Sequence, residues 1–197
     1  MVATAKSEAK AQHLINEGMM LFWNKGYNAT SVKDIVEASA LPKGSFYFYF
    51  DSKEHFAEAV IESYFQRMAT PAMELLKNNS GDAKTRLIEF YAYRIKTLKE
   101  DYNCSMGCMG ANLVSEMGEH SERIRVAVEQ KSLLVKNLII ETVEEAQDQG
   151  NISSEFPAAD LVNFIEDAGR GAMVSMKETN SSYPVDNFFI MVKKLLS

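Results

Sequence analysis

Cysteine, histidine and proline are scarce in this 197-residue chain, with two Cys, three His and four Pro. Two thiols cannot build a disulfide scaffold and suit a reducing compartment. His13, His55 and His120 are scattered, and two thiols do not supply the about four ligands a structural metal site needs. Neither a metal nor a cofactor is expected. Long apolar runs are missing too. No stretch approaches the ~20 apolar residues of a membrane span. The first eight residues, Met1 to Glu8, contain no apolar signal core, so the expected location is cytoplasmic. Positive charge is also in short supply: the net charge is −6, which argues against coating nucleic acid through bulk charge. Neither a strand pattern nor an internal repeat stands out.

Helical periodicity is abundant. Ala11, Leu14, Ile15, Met19, Phe22 and Trp23 fall on one face of a first helix, and Gly26 suits a left-handed C-terminal position. Thr30 or Ser31 caps a short second helix, with Asp34 placed to reach back as in a capping box. Val32, Ile35 and Val36 form its apolar side. After a turn at Ser39–Leu41, Pro42 opens a third short helix, where its missing N–H costs nothing. Two short helices joined by a tight turn form a helix-turn-helix. Charge is distributed to match. Residues 1–50 carry +1 and residues 51–197 carry −7, so the acidic part should face away from a phosphate backbone.

The third helix is rich in aromatics. Phe46 and Phe50, four apart, share a face and are expected to pack inward. Tyr47, Phe48 and Tyr49 cannot all be buried beside them, so with Lys43 and Ser45 they offer an outward surface. A phenol can donate to a phosphate oxygen, and a ring edge can touch a thymine methyl. Ser52 caps the next helix, and Lys53 in its first turn is poorly placed unless an anion binds there.

Thr30-Ser-Val-Lys-Asp-Ile35, Leu41-Pro-Lys-Gly-Ser-Phe-Tyr-Phe-Tyr-Phe50 and Ser52-Lys-Glu54 together resemble the DNA-binding domain of the TetR family of bacterial transcriptional regulators. One departure is Ala40, where the family usually has glycine. Positive φ is costly for alanine, so the turn is expected to tighten in another way. The resemblance implies an all-α protein of about nine helices. An N-terminal three-helix DNA-binding domain (1–51) would precede a C-terminal helical domain for effector binding and dimerisation (52–197). It implies a homodimer on double-stranded DNA with a palindromic operator, regulated by a small molecule, and no enzymatic role. Thr30 and the adjoining helix start would touch phosphate, Lys43, Gly44, Ser45, Tyr47 and Phe48 would approach the major groove, and Tyr49 and Lys53 would clamp phosphates.

The rest of the chain continues as helices, with a loop at Asn78–Asp82. Arg94 lies on an apolar stripe beside Tyr91 and Ile95; it is either a paired structural arginine or an anion-binding residue of a ligand cavity. The segment Asp101–Asn112 breaks the helical texture and holds Cys104 and Cys108. On a regular helix Cβ atoms four residues apart are ~5–6 Å apart, against the ~3.8 Å of a disulfide, so bridging them would unwind a turn. Gly107-Cys108 followed by Leu113-x-x-Glu116 resembles the branch of the TetR family that includes the N-ethylmaleimide-responsive repressor. That implies an electrophile- or oxidant-sensing role for Cys108; the alternatives are a pair of small buried hydrophobes or a Cys108 that merely lines a ligand pocket. Cys104, Cys108, Arg94, Tyr91 and Asn112 are thus the effector candidates. Gly169 and Gly171 inside the penultimate helix each cost ~1 kcal/mol against alanine, and close helix crossing would offset that. Since TetR-like proteins dimerise through their last two helices, the interface is expected at Leu161, Ile165, Ala168, Gly169, Ala172, Phe188, Phe189 and Val192. Two other classes compete: a thiol-dependent redox protein using Cys104 and Cys108, which has no flanking histidine, and a helical ligand-binding protein that has lost its operator.

Overall fold

The computed structural model describes residues 5–78 and 81–197, with the side chains of Ala5 and Lys6 left aside. Asn79 and Ser80 of the expected loop and residues 1–4 of the expected leaderless start lie outside the described residues. Among the described residues there are nine α-helices and no strand: α1 Ala5–Lys25, α2 Val32–Ala38, α3 Lys43–Tyr49, α4 Lys53–Lys77, α5 Ala83–Glu100, α6 Met109–Met117, α7 Glu122–Asp148, α8 Ala158–Thr179 and α9 Tyr183–Leu195. No helix among them is long and apolar enough to cross a membrane.

The chain forms two compact units, Met1–Arg67 with Met109–Lys131, and Met68–Cys108 with Ser132–Ser197. The unit carrying α2 and α3 therefore extends past residue 51 and takes in the first part of α4, all of α6 and the start of α7. Aromatic packing explains its extent. Phe56 of α4 has no exposed surface and its ring meets Phe22 at 5.8 Å, Phe46 at 5.2 Å and Phe50 at 4.9 Å, all at steep angles. A Cβ on Gly18 would fall 2.3 Å from that ring. Further along α4, Tyr64 stacks edge-on to Trp23 at 5.1 Å and accepts at its hydroxyl from the Met109 N–H at 3.3 Å.

Local signals set the helix ends. Ser31 and Asp34 close a full capping box on α2, satisfying donors that would otherwise be orphaned. Ser52 accepts from the His55 N–H at 3.1 Å and so caps α4. Gly26 takes φ +86° after α1. Ala40 takes φ +51°, so the α2–α3 turn is not tightened in another way: alanine itself adopts the left-handed conformation, at a strain of ~1–2 kcal/mol. The Leu41 N–H reaches back to Val36 O at 3.0 Å, which holds the turn closed over that strain.

In the other unit, Leu76, Leu87, Phe90, Tyr91, Ile139, Val143, Val162, Ile165 and Val192 belong to one buried cluster from α4, α5, α7, α8 and α9. Arg86 is buried among them at 4% exposure. It donates to Leu76 O at 2.7 Å, near the end of α4, and pairs with Glu145. A carbonyl at a helix C-terminus lacks an intrahelical donor, and Arg86 supplies one.

Candidate nucleic-acid interface and buried polar centre

The α3 helix divides its aromatics as its period requires. Phe46 is 0% exposed and Phe50 6%, whereas Tyr47 is 55% and Phe48 76% exposed. Lys43 and Gly44 are exposed and Ser45 and Tyr49 half-buried. A Cβ on Gly44 would meet nothing within 4 Å, so the space beside this backbone is open to a partner. Phe48 and Tyr49 sit edge to face at 4.8 Å, and the Tyr49 hydroxyl accepts from Ser7 Oγ at 3.3 Å. Ser7, Lys10, Pro42, Gly44, Ser45, Phe48 and Tyr49 line an open depression of about 590 Å³. Lys10 on α1 was not singled out by sequence reasoning. It lies more than thirty residues before α3, and only the folded packing of α1 places it there.

Two expected contacts face elsewhere. Thr30 is 0% exposed; its hydroxyl donates to Gly26 O at 2.8 Å and its N–H to Tyr27 O at 3.2 Å. Its side chain braces the turn from behind, and the exposed residue at the start of α2 is Ser31. Lys53 is half-buried, with Nζ donating to Tyr27 O at 2.6 Å and lying 3.9 Å from the centroid of the Tyr27 ring. Burial pulls its pKa below the ordinary lysine value, with Glu116 and Asp34 opposing.

A polar centre lies in the unit that contains α5, α8 and α9. Arg94 Nη1 donates to Glu166 Oε1 at 2.7 Å, and the guanidinium stands 5.1 Å from the Phe90 ring and 5.8 Å from the Tyr91 ring. Glu166 is 8% exposed. Burial works against the charge on Arg94, but the Glu166 carboxylate and its hydrogen bond more than restore it, and the pKa rises. The Tyr91 hydroxyl is buried and makes no well-formed hydrogen bond among the described residues, although the Glu166 carboxylate lies close enough to act on it. Burial first, then Glu166, push this phenol well above its ordinary pKa, so it remains a proton donor. A buried donor held short of a well-formed bond is costly, and such groups call for an explanation. The sequence left Arg94 open between pairing and ligand binding. The structure supplies the pair, and beside it a buried phenol that shares the same carboxylate.

Cys104 and Cys108 are both half-buried and are not joined in a disulfide. They lie in the non-helical segment before α6, not on a regular helix. Asn103 and Cys104 take φ +46° and +57°, and Cys104 packs beside Ile95, Met176 and Val185. Cys108 immediately precedes Met109, the first residue of α6, and lies within electrostatic range of the Arg94 guanidinium. A Cβ on Gly107 would lie 3.4 Å from the Lys177 side chain. Asn112 is half-buried on α6 and belongs to the unit that carries α2 and α3.

The expected interface residues are mostly used inside the chain. Leu161 is 6%, Ile165 1% and Val192 1% exposed. Gly169 is buried, and its Cβ would fall 3.1 Å from the Phe188 ring. The close crossing that offsets this glycine is therefore α8 on α9 of the same chain. Ala168 is exposed and Ala172, Phe188 and Phe189 half-buried. The outward faces of α8 and α9 carry Phe164 at 63%, Val174 at 65%, Tyr183 at 73%, Ile190 at 52% and Met191 at 51% exposure.

Comparison with known proteins agrees with this geometry. Residues 14–60 match the model described as bacterial regulatory proteins, tetR family, and residues 83–191 match the tetracyclin repressor-like C-terminal domain. The chain is similar to the HTH-type transcriptional repressor DhaR of Mycobacterium sp. (strain GP1), with 30% identity over 189 residues, covering 94% of this chain and 91% of DhaR. It is also similar to the HTH-type transcriptional repressor NemR of Escherichia coli (strain K12), at 24% identity over 186 residues and 94% and 93% coverage. The crystal structure of reduced NemR superposes with a TM-score of 0.83 over 95% of this chain and 97% of that one. The regulatory protein TetR from Rhodobacter sphaeroides superposes with a TM-score of 0.86 at 26% identity, covering 94% and 98%.

Proposed function

The chain belongs to the TetR family of bacterial regulatory proteins, and from that membership we propose that it is a cytoplasmic, homodimeric repressor of a palindromic operator, without enzymatic activity. The observation that carries this reading is the outward aromatic face of α3, where Tyr47 and Phe48 stand 55% and 76% exposed beside exposed Lys43 and Gly44. Lys43, Lys10 and the Tyr49 hydroxyl reach phosphates. Gly44 lets the duplex approach the backbone. Ser45, Tyr47 and Phe48 meet base edges, with Phe48 suited to a thymine methyl. Two such helices about one DNA turn apart, ~34–36 Å, would read the palindrome, and the dimer would form through the exposed faces of α8 and α9.

The effector is a small molecule recognised around Arg94, Glu166 and Tyr91, with Cys108 as the residue at which an electrophile or oxidant would act. Tyr91 offers a buried proton donor whose approach to Glu166 falls short of a well-formed hydrogen bond, so a ligand with an acceptor oxygen can compete for it. Such a ligand releases the operator only if it binds the two states unequally. Changing the course of the chain around Ser52 would then alter the spacing of the recognition helices.

Fluorescence anisotropy with DNA from upstream of the gene itself tests the regulator reading; specific, salt-sensitive binding is expected, and its absence on every duplex offered would refute it. Release by N-ethylmaleimide or hydrogen peroxide is expected from the wild type and lost in Cys108→Ser. Equal release from both proteins removes Cys108 as the switch while leaving operator binding intact.

A further inference from the structure

We propose that Lys53 and Glu116 are positioning residues, a two-sided clamp on the turn between α1 and α2 that presets the helix-turn-helix for the operator, and that Lys53 is not a phosphate contact. The inference rests on the reading of the chain as an operator-binding regulator and reassigns one of that reading's expected DNA residues.

The geometry is that of a single peptide turn gripped from both sides. Glu116 Oε1 accepts from the Tyr27 N–H at 3.2 Å, and Oε2 accepts from the Asn28 N–H at 2.9 Å. From the opposite polarity, Lys53 Nζ donates to Tyr27 O at 2.6 Å, an oxygen that also accepts from the Thr30 N–H at 3.2 Å. The anion thus holds the amide side of Tyr27 and the cation its carbonyl side, each bond strengthened by the charge on one partner. The ammonium is further held 3.9 Å over the Tyr27 ring, a cation–π arrangement. The turn is shaped to admit the carboxylate. Gly26 sits at φ +86°, and a Cβ there would fall 2.4 Å from Glu116 Oε1, so the oxygen occupies the space a side chain would fill.

Both charged residues stand where their own helices disfavour them. Lys53 is the first residue of α4 and Glu116 the next to last of α6. A cation at a helix N-terminus and a carboxylate at a C-terminus both oppose the macrodipole. The turn supplies each with the compensating partner that a bound phosphate was expected to supply for Lys53. Two residues beyond Asn28, Thr30 is locked to Gly26 O, and α2 begins at Val32 under the Ser31 cap. The clamp therefore decides where α2 starts relative to α4 and α6, and α3 follows through the turn at Ala40. For Lys53 to reach phosphate it would have to abandon a 2.6 Å bond and the face of a ring, while Lys43 and Lys10 stand exposed on the α3 side.

The test uses full-length protein and a duplex selected from a random pool, with anisotropy titrations from 50 to 200 mM salt, a range over which phosphate contacts dominate the affinity change by about 10³–10⁵-fold. Lys53→Met is expected to weaken binding roughly ten-fold while keeping the wild-type slope of log K against log salt, whereas Lys43→Met flattens the slope by ~0.9, the value for one lost phosphate contact. Glu116→Gln removes a negative charge, which by bulk electrostatics should tighten DNA binding; the clamp predicts weaker binding. The double variant should lose no more than the worse single one. In DNA-free protein, Glu116→Gln should speed amide exchange at Tyr27 and Asn28 at least about ten-fold, with the middle of α1 still protected, since local opening is read residue by residue. A slope flattened by ~0.9 in Lys53→Met, tighter or unchanged binding in Glu116→Gln, or unchanged exchange at Tyr27 and Asn28 overturns the proposal. A wild type that selects no duplex refutes the operator reading instead, and the exchange measurement still judges the clamp.

Discussion

The α3 helix and the α8–α9 pair both present large apolar side chains to solvent, and they differ in what accompanies them. On α3, Tyr47 and Phe48 stand with Lys43 and an open glycine backbone, and Lys10 of α1 borders the depression that Phe48 helps to line. On α8 and α9, Phe164, Val174, Ile190 and Met191 stand exposed with charges of both signs, Asp160, Asp167, Lys177 and Lys193, exposed on the same two helices. The first company suits a polyanion whose bases carry a few apolar edges. The second suits a surface like itself, such as the same helices of a second copy. Exposure alone names no partner; neighbouring charge does.

The comparison can be broken first at Phe46 and Phe48, two phenylalanines one residue apart on either side of Tyr47. Phe46→Ala removes a ring with no exposed surface and is expected to cost about 3–5 kcal/mol of stability, as buried Phe truncations do, readable by thermal or urea unfolding. On the α8–α9 face, Phe164→Asp with Ile190→Asp should raise the dimer dissociation constant about a hundred-fold, ~2.7 kcal/mol, in analytical ultracentrifugation. A dimer unchanged by both would move the interface elsewhere. Phe48→Ala should lower operator affinity about ten-fold, ~1.4 kcal/mol, and shift the unfolding free energy by less than about 0.5 kcal/mol, the usual size for surface changes. Loss of stability comparable to Phe46→Ala would mean that Phe48 packs inward in solution. The smallest effect is expected at the turn. Ala40→Gly relieves a left-handed alanine at φ +51° but enlarges the unfolded ensemble, leaving a net gain of roughly 0.5 kcal/mol and a slightly higher Tm.

The DNA-binding unit was legible because its determinants are local. The Ser31–Asp34 box, the Phe46–Phe50 spacing and the Ser52 cap each need only three or four residues, and each is found as read. What sequence could not supply were partners distant along the chain. Glu166 lies 72 residues from Arg94 and Glu145 lies 59 from Arg86, so neither pair leaves a local trace. Lys53 was assigned to phosphate because a cation in a first helical turn looks unpaired, and its partner, Tyr27 O, is 26 residues away. Gly169 on α8 is a related case. A glycine in a helix announces a close neighbour but not whose, and here the neighbour is Phe188 of the same chain.

The Glu116 oxygen lodged beside Gly26 also gives this pair a history with a direction. A lineage that shortens or loses Glu116 still needs glycine at position 26, because φ +86° persists and side chains resist that conformation. A lineage that first replaces Gly26 meets the backbone penalty and the carboxylate, 2.4 Å from the new Cβ, in one step. Change at residue 116 therefore costs the clamp alone, whereas change at residue 26 costs the clamp and a strained backbone together.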